Sequence, residues 1–150
     1  VRRRWRTGDV VKLELPMEPR ITHWHHQSAA VELGPLVMAL QPREEWHKLE
    51  NGDWAIDAAS PWNYAIVKSE PMKAVFHPGR AHAFKHGEPP VEVFVKAARL
   101  PDWQMDGASC AAPPILPHIS AGQLETITLV PYGYTSLRIC QFPYASASEE

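Results

Sequence analysis

The chain has 150 residues, 45% of them hydrophobic and 21% charged, with a formal net charge of -2. That length suits one ordinary domain burying roughly 68 to 70% of its extended surface, and the near-neutral charge gives no general pull toward nucleic acid or anionic lipid. No run approaches the ~18 apolar residues of a membrane span, and no charged segment followed by an apolar one opens the chain as a leader would.

The first residue is Val1 rather than Met, and a strand-like pattern begins at once. On this reading the chain is a piece of a longer protein. Arg2, Arg3, Arg4 and Arg6 flank Trp5 and read as the solvated face of a strand, which Gly8-Asp9 turns into the next. Val10 to Leu15 alternates from Val11 onward, placing Val11, Leu13 and Leu15 on one face until Pro16 stops the run.

His23 and His25 would share one side of an extended strand, opposite Trp24 and His26, and so present two imidazoles to a metal. A third ligand is not apparent nearby, and a solvated polar edge is the plainer reading. Further strands are expected at Ala29 to Leu33 and Leu36 to Leu40. Asn51-Gly52 predicts a type I′ hairpin joining Trp46 to Leu49 with Trp54 to Ile56. Val91 to Ala97, with Val91, Val93 and Val95 inward, Leu124 to Val130 and Ser136 to Phe142 complete the set, the last with Leu137, Ile139 and Gln141 on one face.

The stretches Lys68 to Arg80 and Leu100 to His118 read as irregular. The tail from Ala145 to Glu150 is small and acidic and is expected to fray. Fifteen prolines, about twice the ~5% average, punctuate these short runs, so the fold class is all-β and helix is scarce.

The residues that carry chemistry are mostly accounted for in other ways. Cys110 and Cys140 have no Cys-x-x-Cys spacing; a disulfide between them is possible but unforced, and Cys140 reads as a small strand residue. His47, His77, His82, His86 and His118 are dispersed. A glycosidase needs two carboxyl groups about 5 to 9.5 Å apart. Glu44 and Glu45 are adjacent and would face opposite ways on a strand, Glu149 and Glu150 lie in the tail, and spacing does not bring Glu88, Glu92 and Asp102 together. Gly-x-Ser-x-Gly, Walker and Gly-x-Gly-x-x-Gly patterns are absent.

Six tryptophans are the unusual feature, at Trp5, Trp24, Trp46, Trp54, Trp62 and Trp103. Each reads first as a packing residue, although exposed indoles on a sandwich also stack on sugar rings. Trp62, Asn63, Tyr64 and Trp103 are the candidate residues for contact with another domain or with a glycan.

Several stretches in order carry a resemblance: Trp5 to Arg20, Ala30 to Val37, Ser60-Pro61-Trp62-Asn63-Tyr64, and Leu129-Val130-Pro131-Tyr132-Gly133 with Leu137-Arg138-Ile139 and Phe142-Pro143. Together they resemble the C-terminal β region of glycoside hydrolase family 127, the β-L-arabinofuranosidase-like proteins. Leu33 stands where the family pattern has a basic residue, and Tyr134 where a Cys is frequent.

The resemblance implies an antiparallel β-sandwich, immunoglobulin-like or jelly-roll-like, belonging to a larger glycosidase. Residues 1–40 would complete a first sandwich lacking its earlier strands, residues 41–144 would form the C-terminal sandwich, and 145–150 a disordered tail. Catalysis in such proteins belongs to an (α/α)₆ barrel with zinc held by cysteines and a glutamate. No residue here matches that cluster, so no catalytic, cofactor-binding or metal-binding residue is assigned. The isolated chain is expected to be non-catalytic and to partner the barrel of its own parent, with plant-type or arabinose-containing glycans as further partners and no nucleic acid or membrane. The alternative is a stand-alone carbohydrate-binding module using exposed tryptophans. Compartment is not encoded.

Overall fold

Short apolar runs bounded by Pro, Gly and Asn give strands rather than helices, and in the computed structural model, which describes residues 2–80 and 87–148, the chain is all-β. The strands are β1 Pro19–His23, β2 Ala29–Leu33, β3 Leu36–Leu40, β4 Glu44–Lys48, β5 Trp54–Ala58, β6 Tyr64–Val67, β7 Lys73–Phe76 and β8 Val91–Arg99. They continue as β9 Met105–Asp106, β10 Ser109–Cys110, β11 Ile119–Ser120, β12 Leu124–Pro131, β13 Tyr144–Ala145 and β14 Ala147–Ser148. No described helix is long and apolar enough to cross a membrane.

The main sheet runs β1-β2-β3-β12-β8-β6-β13, with β7 paired to β8 beside β6. Its pairs are antiparallel except β13 with β6. β3 pairs with β12 through Leu40 and Leu129, so strands from both sides of residue 40 share one sheet. Alternation on β8 buries Val91, Val93, Val95 and Ala97, which join Val31, Leu33, Met38, Leu40, Ile66, Leu129 and Phe142 in the core. Each large apolar side chain so buried contributes about 1.5 to 3 kcal/mol of transfer free energy. Ala65, Val67, Ala98, Ile119 and Ala145 form a second cluster.

The last segment makes the sheet curl. Ile139 bridges Leu40 on β3, Phe142 bridges Ala29 on β2, and Tyr144–Ala145 then pairs with β6 near the opposite end of the strand order. One short stretch therefore ties both sides of the sheet around Phe142, which is fully buried.

Turn chemistry sets the registers. Gly34, at φ 56°, supplies the positive φ of the two-residue loop between Leu33 and Leu36, with Pro35 completing it. The Asn51-Gly52 hairpin exists, but only Gly52 has positive φ, at 89°. Gly52 N–H donates to Leu49 O at 3.0 Å and Leu49 N–H to Asp53 O at 2.8 Å, so the loop is a three-residue connection with glycine in the left-handed position rather than type I′.

Several sequence expectations are corrected. Val10 to Leu15 is not a strand: Val10 is 86% exposed and Leu13 77%, because none of the described strands pairs with this run. The turn before it forms, with Asp9 N–H donating to Arg6 O and Asp9 Oδ2 accepting from Arg6 N and Arg3 Nη2, but no strands flank it. Ser136 to Phe142 makes isolated bridges instead of a strand. Lys68 to Arg80 contains β7, and Leu100 to His118 contains the β9–β10 hairpin. Ala145 is buried, and Ala147–Ser148 pairs in parallel with Ile119–Ser120, so the tail is tied down as far as Ser148. His82, His86, Glu149 and Glu150 lie outside the described residues.

Candidate functional site

Asn63, the residue before β6, is buried and reaches across to the segment that leaves β8. Its Nδ2 donates to Leu100 O at 2.8 Å and Trp103 O at 3.1 Å, while Leu100 N–H donates to Asn63 O at 2.7 Å. A short polar side chain that satisfies two carbonyls fixes a turn where no sheet ladder continues. The turn is closed by Trp103 N–H donating to Leu100 O at 3.0 Å.

That clamp presents Trp103 to Trp62. Their ring centroids lie 5.1 Å apart with planes at 62°, an edge-to-face contact worth about 0.5 to 1.5 kcal/mol beyond area burial. Trp103 is only 3% exposed, and its Nε1 donates to Ala111 O at 2.9 Å. Ala111 N–H in turn donates to Gln104 O at 3.0 Å, holding the β9–β10 hairpin against the indole. Tyr64 is also buried; burial pushes its phenol up, and the negative charge of Glu125 raises it further.

The four residues singled out in the sequence thus meet across 40 positions, but as a packed and hydrogen-bonded support in which Trp62 alone keeps partial exposure. Above them opens a cleft of about 860 Å³, walled by Ala55 to Ala58 of β5, the 107–113 segment and Leu137 to Gln141. Trp62, Cys110 and Cys140 are among its lining residues.

The hairpin β4–β5 closes one side, and it is anchored through Glu44. Glu44 Oε1 accepts from Ser136 N–H at 2.6 Å, Leu137 N–H at 3.3 Å and Thr135 Oγ1 at 3.2 Å. A carboxylate serving a bend of backbone amides is a structural anchor that sequence reading, seeing only Glu44 beside Glu45, missed. On the same hairpin Trp46 and Trp54 sit exposed with centroids 6.2 Å apart and planes at 70°.

The remaining titratable candidates are dispersed. Glu92 meets His77 Nε2 at 2.6 Å, and Glu32 binds Arg20 Nη2 at 2.5 Å and Thr22 Oγ1 at 3.1 Å. These contacts, the Arg20 hydrogen bond foremost, hold the Glu32 carboxyl below its ordinary range. His23 lies against Tyr144 with ring centroids 5.3 Å apart and planes tilted by 49°, whereas His25 lies in a 3₁₀ turn against His26 at 4.2 Å. The pair expected to share one strand face is therefore split between two elements. No group of three or more His, Cys, Asp or Glu among the described residues is placed to hold a metal ion.

Compared with family models, curated proteins and solved structures, the chain matches none.

Proposed function

We propose that the chain is a non-catalytic β-sandwich region of a β-L-arabinofuranosidase-like glycoside hydrolase, packing against and supporting a helical catalytic barrel. The zinc chemistry of such a protein would belong to the barrel. The resemblance of the ordered segments supplies the family, and one observation supports the supporting role. Val11, Leu13 and Leu15 stand 64 to 77% exposed in one alternating run, after Val10 at 86% and Trp5 at 53%. Large apolar side chains left this exposed within six residues support a surface meant for covering.

The carboxylates add to this reading, since Glu32, Glu44 and Glu92 are committed to Arg20, to the 135–137 bend and to His77. The sugar-binding alternative has less support. Stacking on a sugar needs open, roughly coplanar ring faces, yet Trp103 is buried and meets Trp62 edge to face, and the exposed Trp46 and Trp54 stand at 70° to one another.

The test is an assay of the purified chain, with zinc supplied, on a synthetic β-L-arabinofuranoside. The account expects no release of sugar above a blank; release would overturn it.

A further inference from the structure

Cys110 and Cys140 are both half-buried free thiols, thirty positions apart, and both line the 860 Å³ cleft. They come from different walls. Cys110 belongs to β10, whose place is fixed by the next residue, Ala111, bonded to Trp103 Nε1 and Gln104 O. Cys140 follows Ile139, whose carbonyl accepts from Leu40 N–H at 2.8 Å, and precedes the Phe142–Ala29 bridge. Each thiol is thus carried by backbone tied to a separate part of the buried frame.

We propose that Cys110 and Cys140 form a redox-sensitive pair, closing to a disulfide that staples the β9–β10 hairpin to the 137–141 segment across the mouth of the cleft. Burial, and after it the neighbouring Cys110, raises the Cys140 thiol. Cys110 closes a hairpin whose residues 104–109 are all exposed, which makes it the first sulfur that a reagent reaches.

The oxidant is a small-molecule disulfide such as oxidised glutathione. Cys110 loses its proton, and its thiolate attacks one sulfur of the reagent, breaking that bond and releasing one thiolate. Cys140 then loses its proton and attacks the Cys110 sulfur of the mixed disulfide, releasing the second thiolate. The two leaving thiolates take up the two protons, so two cysteine thiols are oxidised and one reagent disulfide is reduced to two thiols.

The test incubates the folded chain in a glutathione buffer of rising oxidation, quenches with an alkylating agent, and reads intact mass and a non-reducing peptide map. The expected product is a monomer two hydrogens lighter, with the Cys110 and Cys140 peptides joined. It should melt roughly 5 to 15 °C above the reduced form, because the cross-link constrains the unfolded chain. Cys110→Ser and Cys140→Ser should each remove both the link and the shift. Separate glutathione adducts, disulfide-linked dimers, two thiols that remain alkylatable throughout, or a linked form that melts no higher would each overturn the proposal.

Discussion

Asn63 Nδ2 donates to the carbonyl of Trp103 at 3.1 Å, and the same nitrogen serves Leu100 O at 2.8 Å. Removing the amide leaves the buried Trp103 carbonyl without its donor, while Leu100 O keeps the Trp103 N–H. Asn63→Ala is therefore expected to lower stability by about 1 to 3 kcal/mol, measured by urea unfolding. An unchanged midpoint would mean that water replaces the amide.

Trp103 and Trp54 separate packing from surface display. Trp103→Ala empties a buried site and breaks the bond to Ala111 O, so a loss of about 3 to 5 kcal/mol is expected. Trp54→Ala, at a ring 55% exposed, should change stability by less than about 1 kcal/mol in the same unfolding experiment. Equal losses would contradict the assignment of the two rings.

Glu44 holds the β4–β5 hairpin to the 135–137 bend. Glu44→Ala is expected to cost about 1 to 3 kcal/mol and to speed amide exchange at Ser136, whose N–H donates to the carboxylate at 2.6 Å. Glu44→Gln keeps an acceptor oxygen and should retain part of the protection.

Acid should loosen the β1–β2 edge. The Glu32 carboxyl is depressed from its ordinary value of 4.5, chiefly by the Arg20 hydrogen bond. A depressed group adds stability that is present in full above the unfolded value and is lost as pH falls through the folded one. Stability should therefore fall below pH 4.5, and Glu32→Gln should flatten that part of the profile. An identical acid profile in the variant would remove Glu32 from the account.

How much of this was legible in the residues depends on what a pattern reports. Val91 to Ala97 alternates and is half-buried as expected, since β8 has strands on both sides. Val11 to Leu15 also alternates yet pairs with no strand among the described residues, because alternation tells which side is apolar and not whether a neighbouring strand exists. The four-residue strand Lys73–Phe76, set between Pro71 and Pro78, is too short to show a period of its own, and its strand state comes from pairing with β8. The Trp62, Asn63, Tyr64 and Trp103 cluster could be singled out by residue type. That Asn63 would be its clamp depends on a contact 40 positions away, which no local spacing encodes.

The central claim is that the apolar run at Val11, Leu13 and Leu15 exists to be covered by another body and contributes little to this fold. The most direct measurement compares the chain with its Val11→Ser, Leu13→Ser, Leu15→Ser variant by thermal melting under near-ultraviolet dichroism and by binding of an apolar dye. The account predicts the same cooperative melt and the same aromatic signal in both, with dye binding largely lost in the variant. A melt lowered by many degrees with loss of the aromatic signal, or dye binding that persists, would contradict it.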